Sequence, residues 1–484
     1  MSRLSTMDSS FLRVETPTAH MHVGWMSWLD LPAGQDELDV ELLIERLAAR
    51  LHLFPRFRQR VVRVPLGVAE PVWRDDPDFD IRRHVVVAPA GVPVDDAVDE
   101  LLSTQLDRDR PLWQILVVPR AGEGRAAIAG KVHHAMVDGI AAVELGVLLF
   151  DAAPDLPAES PQTWDPTPAE SGVRLTADAV ADTALAQFRA AGRLVALGRT
   201  PARTVRVAET MRRAALSLAD DAMRPAPDSC LNVPIGPRRT LVTHAIRLSR
   251  LLELKAAFGT TLNDVVLAVC AGALHRFAQR RGDEPRDLRV MVPVNVRDPS
   301  GDAGAGNRIT FAFLTLPVST PSPPDRLAAI VEEMGELKRS GRIAGSAMLL
   351  RGLGALPEPL KDRAARLAAS PRLYNLTISN VPGPRMPLYV AGARVRSIVP
   401  VIPIPDDHAL AIGVLTYDDR AHFGLYADPV ALPRASSLAL ALEDATAELE
   451  LAAGRRSTGP SRRARRHPSP GRRSPARASP TRSR

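Results

Sequence analysis

The stretch Gly130–Leu145, GKVHHAMVDGIAAVEL, constrains this chain more than any other. An apolar run, Ala126–Val132, ends in two adjacent histidines, His133 and His134. An aspartate and a glycine, Asp138 and Gly139, then precede a second apolar run, Ile140–Phe150. The pattern predicts a buried strand, a polar turn and a buried helix, with titratable groups gathered at the joint. In an extended segment neighbouring side chains point to opposite faces. His133 and His134 therefore cannot both enter one pocket unless the chain bends. The expectation is that one faces a reaction site while the other packs or orients. Asp138 lies one loop turn further on and can return near the pair, and Gly139 permits close backbone approach there.

Three readings of the pair stand open on the residues alone. A neutral histidine can act as a general base toward a hydroxyl or amine. Two histidines and an aspartate can hold a metal. Both histidines can also be satisfied core residues. Adjacent spacing suits two ligands on one element poorly, and no Cys/His cluster elsewhere supplies more, so the metal reading trails the other two. Neither Cys230 nor Cys270 sits in a reactive-looking context, and no G-x-S-x-G occurs. A base without a side-chain nucleophile would activate a bound substrate directly, which suits transfer from an activated donor such as a thioester. His20 and His22 share one side of a predicted strand and are read as packing, while His408 and His422 have no evident partner.

The 484 residues are too many for one ordinary core and imply two domains. Two cysteines argue against a disulfide framework and for a reducing compartment. The N-terminus has no apolar signal region, and no apolar run reaches the roughly 18 residues of a membrane span. Helical spacing marks Glu37–Phe54, and strand patterns mark Ala19–Leu29 and the two segments flanking Ala121–Gly124. In the second half, Leu262–Phe277 reads as a helix with one apolar face, begun by Thr261 and Asp264 as a capping box and ended by Gly282. Strands or a hairpin are expected over Leu288–Arg297, Arg308–Pro317, Leu373–Pro384 and His408–Asp428. The resulting division is 1–170, an N-terminal domain with the histidine motif; 171–240, a helical connector; 241–454, a C-terminal domain; and 455–484, a disordered tail rich in Arg, Ser and Pro. The tail holds eleven arginines and no acid, so the net charge of +7 belongs to it and the body is net acidic. The charge thus gives no reason to expect a specific nucleic-acid partner.

HHAMVDG matches the H-H-x-x-x-D-G signature of acyl-CoA-dependent acyltransferases with the chloramphenicol-acetyltransferase-like fold, a signature shared with condensation domains of peptide synthetases. LSTMDSSFLRVETPTAHMHVG, RPLWQ, CLNVPIGPRR, TLNDVVLA, VPVNVR and NLTISNVPGP follow the same order as in the bacterial wax ester synthase/diacylglycerol acyltransferase family, which the chain resembles from residue 3 to about residue 450. One departure is Asn295 of VPVNVR, where the family more often has a small hydroxyl residue. The resemblance implies an α/β fold of two chloramphenicol-acetyltransferase-like domains, each a mixed sheet with helices, and an active-site tunnel between them. It makes His134 the base and His133 a support of the loop. It makes Asp138 an orienting group paired with Arg297, beside Gly139. Trp113 of the P-L-W motif, Asn263 and Asp264 of the N-D motif, and Ser379 and Asn380 become substrate-binding or supporting residues, with Asp264 equally readable as a helix cap.

The same resemblance implies long-chain acyl-CoA as a substrate, diacylglycerol or a fatty alcohol as acceptor, and neither cofactor nor metal. It implies a cytoplasmic protein peripherally attached to membrane or lipid droplets. Two other functions fit the signature: a different acyltransferase or condensation-type enzyme of the same fold, and a lipid-binding droplet protein of weak activity.

Overall fold

The computed structural model describes residues 2–65, 69–136, 141–155, 162–168, 225–296, 308–339 and 358–458, with isolated positions between 172 and 212. Asp138, Gly139 and Arg297 lie outside the described residues, as do most of the 171–240 connector and the tail beyond 458. The first half runs β1 (Ser2–Arg3), α1 (Thr6–Val14), β2 (His22–Asp30), α2 (Val40–Arg50), β3 (Gln59–Val62), β4 (Val72–Asp75), β5 (Val85–Val87), α3 (Val94–Ser103), β6 (Trp113–Val118), β7 (Arg125–His133) and α4 (Ala141–Leu149). The second begins with β8 (Thr240–Arg247), α5 (Leu248–Phe258), α6 (Leu262–Arg281), β9 (Leu288–Val296), β10 (Arg308–Leu316), α7 (Pro323–Arg339) and α8 (Glu358–Ala368). It continues with β11 (Leu376–Pro382), β12 (Tyr389–Val390), β13 (Ala393–Val395), β14 (Val399–Val401), β15 (Leu410–Tyr417), β16 (Arg420–Ala427) and α9 (Ser436–Thr458).

Two mixed sheets carry the architecture. A six-stranded sheet has the order β10-β9-β11-β15-β16-β8, and a seven-stranded sheet has the order β12-β13-β2-β7-β6-β5, with β14 also paired to β2. A small third sheet, β1-β4-β3, lies apart from them. The connection after β11 is the unexpected feature. Three short strands leave the six-stranded sheet before β15 returns: β13 and β14 pair with β2, Arg394 opposite Asp30 and Val401 opposite Gly24, and β12 pairs with β13. The sheet built around the histidine strand is therefore completed by the second half of the chain.

Glycine makes two close approaches possible. Gly413 of β15 and Gly424 of β16 face each other across the ladder, and β14 passes over them. A Cβ on Gly424 would lie 2.0 Å from the Pro400 carbonyl oxygen, and one on Gly413 would lie 3.1 Å from it. Gly130 of β7 pairs with Trp25 of β2, and a Cβ there would meet the indole at 2.1 Å. The indole fills the space that the missing side chain leaves.

Three apolar clusters follow from this layering. One face of the seven-stranded sheet packs Trp113, Ile115, Ile128 and Val132 against Leu43 and Leu47 of α2 and Leu148 of α4. The six-stranded sheet packs beneath α5, α6, α7 and α9. Between the halves, Met26, Val98, Leu102, Leu116 and Ala129 meet Leu241, Val401, Ala411 and Tyr426. Burying an aliphatic side chain is worth roughly 1.5–3 kcal/mol, so this third cluster holds the two sheets together. The Tyr426 hydroxyl donates to the Leu102 carbonyl at 3.2 Å across the same junction.

Helix α6 begins with both hydrogen bonds of the Thr261/Asp264 capping box and ends at Gly282 with φ 80°, as its sequence predicts. The expectation of a single apolar face is corrected. Residues Asp264–His275 are all buried, because neighbouring helices cover the sides that the sheet does not. Among the described residues no single helix is long and apolar enough to cross a membrane.

Candidate active site

The site is built where β7 ends. The His133 amide donates to the Leu112 carbonyl at 2.9 Å, the last step of the ladder to β6, and the His134 amide donates to the Met21 carbonyl at 2.9 Å. A 3₁₀ turn, His134–Met136, follows immediately. This is the bend that adjacent histidines require if their rings are to part company. His133 keeps the alternation of the strand and sits opposite His22, 1% exposed. His134 leaves the strand and is half-buried.

The role of each ring follows from what it touches. The Ala135 amide donates to His133 Nδ1 at 3.1 Å, so Nδ1 is an acceptor and the neutral ring carries its proton on Nε2. That Nε2 faces the Glu15 carboxylate at 3.6 Å, and Glu15 is itself paired with Arg108. Burial, then the Arg108 charge, push the His133 ring down to about 3, so it is neutral at physiological pH. His133 is thus placed to shape the turn that carries His134.

The His134 ring stacks on Phe11 of α1, centroids 3.7 Å apart and planes 14° from parallel. Its Nδ1 is buried without a hydrogen-bond partner among the described residues. Burial first, and the neighbouring His133 second, push it down to about 4. A ring so placed is unprotonated at pH 7 and can accept a proton from a hydroxyl brought to it.

Candidate residues in the second half also come together. The Asn380 side-chain amide donates to Asn263 Oδ1 at 3.3 Å, joining the SNVPGP and TLNDVV segments. Asp264 is 4% exposed and spends Oδ2 on the backbone amide of Thr261 and the hydroxyls of Thr260 and Thr261, while Oδ1 has no partner among the described residues. Ser379 is buried on β11 opposite Gly413. Trp113 is a packing residue. It is 1% exposed, its indole N–H donates to the Phe57 carbonyl at 2.8 Å, and its ring stacks on His84 at 4.5 Å.

His20, His22, His408 and His422 are packing groups. His20 reaches the Pro17 carbonyl at 3.0 Å, and His408 contacts the carbonyls of Asp406 and Tyr374. His22 and His422 are buried within strands. No cluster of three or more His, Cys, Asp or Glu able to hold a metal occurs among the described residues.

Sequence reasoning missed Phe11, Glu15, Arg108 and Lys131. In sequence the N-terminal segment reads as a family stretch that lacks an apolar signal region, with no site role for its residues, although the pattern of Phe11, Leu12 and Val14 beside Arg13 and Glu15 is that of a short helix with one polar side. Lys131, wholly buried in β7, donates to the carbonyls of Leu101 and Thr104 and so satisfies the end of α3. Burial pushes its ammonium down to about 7.

Comparison with known proteins places this geometry. The wax ester synthase/diacylglycerol acyltransferase catalytic-domain model matches residues 4–266, and the C-terminal-domain model of the same family matches residues 305–450. Two Mycobacterium tuberculosis proteins are similar over nearly the whole chain, each described as a probable diacylglycerol O-acyltransferase. One, tgs2, is 33% identical over 94% of this chain and 100% of its own length; the other, tgs1, is 32% identical over 94% and 97%. Among solved structures, the wax ester synthase/diacylglycerol acyltransferase of Marinobacter aquaeolei VT8 superposes with a TM-score of 0.66 at 26% identity, covering 94% of this chain and 100% of that one. A mutant starter condensation domain of rhizomide synthetase RzmA shares the fold, with a TM-score of 0.57 at 14% identity over 93% and 94% of the two chains. With both family domains matched in order and relatives aligned from end to end, the chain belongs to the wax ester synthase/diacylglycerol acyltransferase family.

Proposed function

We propose that this chain transfers a fatty acyl group from acyl-CoA to the hydroxyl of diacylglycerol, forming triacylglycerol, and that long-chain alcohols serve as a second class of acceptor. The observation that carries the mechanism is the His134 ring, neutral and half-buried at a turn where strand geometry releases it from the sheet. His134 takes the acceptor's hydroxyl proton as the oxygen attacks the thioester carbonyl. The tetrahedral intermediate collapses, the carbon–sulfur bond breaks, and the leaving thiolate recovers the proton from His134. A cysteine nucleophile is disfavoured by both thiols, since burial pushes Cys270 up to about 12 and also raises Cys230. The reaction needs neither a metal nor a cofactor. In this reading Asp138 pairs with Arg297 and orients the motif. Asn263, Asn380 and Ser379 support the wall that the second half contributes.

The test is direct transfer. Purified protein with labelled palmitoyl-CoA is offered diacylglycerol or hexadecanol, with and without EDTA, and the products are resolved by thin-layer chromatography. The expected result is labelled triacylglycerol, a smaller yield of wax ester, and no effect of chelation. Absence of transfer to either acceptor sinks the reading, and activity lost to EDTA and restored by metal sinks its metal-free chemistry.

The acceptor is insoluble in water, so the enzyme works as a peripheral protein on the cytoplasmic face of a membrane or on a lipid droplet, aided by the basic 455–484 tail. Basic residues near an anionic surface contribute about 1 kcal/mol each, less in salt. Truncation after Gly454 is expected to abolish low-salt flotation with anionic liposomes, and unchanged flotation would remove the tail from this role.

A further inference from the structure

Two side chains of the N-terminal segment reach the histidine pair from outside the sheet. Phe11 lies flat on His134, and Glu15 points at His133 Nε2. They are one helical step apart: the Glu15 amide donates to the Phe11 carbonyl at 3.1 Å, so both side chains leave the same face of α1. The helix is clamped on both flanks. Arg108, from the loop before β6, pairs with Glu15 and donates to the Leu12 carbonyl at 3.2 Å, satisfying the helix end. Arg13, on another side, pairs with Glu70 at 2.6 Å and with Glu358 and Asp362 of α8 at 2.5 and 2.6 Å. Lys361 closes that cluster, 2.8 Å from Glu70 and 2.9 Å from Glu358. A helix from the start of the chain is thereby bolted to the second half and pressed onto the turn.

We propose that Phe11 and Glu15 are positioning residues for the transfer reaction, Phe11 by fixing the plane of the His134 ring and Glu15 by fixing the ring of His133. The inference rests on the reading of His134 as the base. A stacked ring leaves His134 rotation within its own plane only, which aims its nitrogens. The Glu15 charge favours the tautomer with the proton on His133 Nε2. That leaves Nδ1 free to accept the Ala135 amide, and this hydrogen bond closes the turn that presents His134. The charged and titratable groups facing the pair among the described residues are Glu15 at the end of α1, His22 from β2, His133 itself, and Arg108.

The experiment compares Phe11→Leu, Phe11→Trp, Glu15→Gln and His134→Ala in the full-length chain, by steady-state kinetics with palmitoyl-CoA and diacylglycerol across about pH 5–9. Phe11→Leu and Glu15→Gln are expected to lower kcat about ten- to a hundredfold while KM for palmitoyl-CoA stays within about twofold. Phe11→Leu also moves the acid limb of kcat/KM upward, toward the ordinary imidazole value, because water reaches the ring. Phe11→Trp keeps a flat partner and restores most of kcat. If kcat and the acid limb stay unchanged in Phe11→Leu and Glu15→Gln while His134→Ala is inactive, positioning is overturned and the base survives. A change confined to KM overturns it likewise, in favour of a substrate contact. Full activity in His134→Ala overturns the base itself.

Discussion

His134, at the turn after β7, and His422, within β16, are both buried enough to have their rings pushed down to about 4, in each case with burial as the largest cause. Their surroundings differ. His422 is 3% exposed, sits opposite Leu415 in an antiparallel ladder, and has a buried Nε2 with no partner among the described residues. His134 stands off the ladder, half-buried, against an aromatic ring carried by a separate helix. The contrast extends to the two sheets. The interdomain side of the seven-stranded sheet gathers His22, Lys131 and His133 near Glu15. The helix-covered core of the six-stranded sheet buries its polar groups singly, His275 on α6, Arg326 on α7 and Thr446 on α9, among apolar neighbours. A lowered pKa therefore marks burial in both halves, and placement at a chain bend is what distinguishes the ring proposed as the base.

The largest expected effect breaks this pair apart. His134→Ala should lower kcat by about 10²–10⁴-fold with the fold intact, whereas His422→Ala should leave the chemical step alone and lower only stability. Comparable kcat losses in both variants would remove the distinction.

Next is the junction between the sheets. Gly424→Ala drives a Cβ into the backbone carbonyl of Pro400, which cannot rotate away. The expected cost is about 3 kcal/mol, the upper end for an over-packed core, read as a fall in the denaturant midpoint. Gly130→Ala meets a side-chain ring instead and should cost less. The reverse order would mean that the β14 crossing is not the rigid point.

A smaller effect concerns acid. His22 is 2% exposed, neither ring nitrogen has a partner among the described residues, and burial holds its pKa well below the usual value. The unfolded chain takes up that proton below about pH 6.5 while the folded one does not, so stability falls as pH drops from that point toward the folded pKa. For one such histidine the loss at pH 5 is about 2 kcal/mol relative to pH 8. His22→Leu should remove that much of the slope between pH 8 and pH 5. An unchanged slope would show that His22 titrates normally.

The smallest effect compares helix caps. Asp39 is exposed and accepts the Leu42 amide at 2.9 Å at the start of α2. Asp39→Ala should cost about 1 kcal/mol and leave transfer untouched. Asp264→Ala removes the N3 half of the α6 capping box beside the Asn263–Asn380 link and is expected to lower transfer as well. If transfer survives in Asp264→Ala, that residue is a cap alone.

Much of the fold was legible because it is local. The period of α2, the caps of α6, the continuous apolar runs of β6 and β7, and the hairpin of β15 and β16 are written in residues a few positions apart, and those elements appear where expected. The short strands β12–β14 were not legible. Two or three residues carry no readable period, and β2, the partner of β13 and β14, lies far away along the chain. In the site, His133, His134, Asn263 and Asn380 were found by motif, and the structure joins the last two directly. Trp113 belongs to a motif but sits in the core, because its indole is needed between Phe57 and His84.

The sequence by itself determined that two adjacent histidines must diverge at the end of a buried strand, since alternation along a strand is a property of neighbouring dihedral angles. It also determined the start and end of α6, where Thr261, Asp264 and Gly282 satisfy the helix termini with local atoms alone. Only the tertiary structure decided that Phe11 covers one ring, that Glu15 faces the other, and that Arg13 ties their helix to α8. Those contacts join residues distant in the chain. They exist only once both sheets have closed around their cores, and no spacing along the sequence encodes which surfaces then meet.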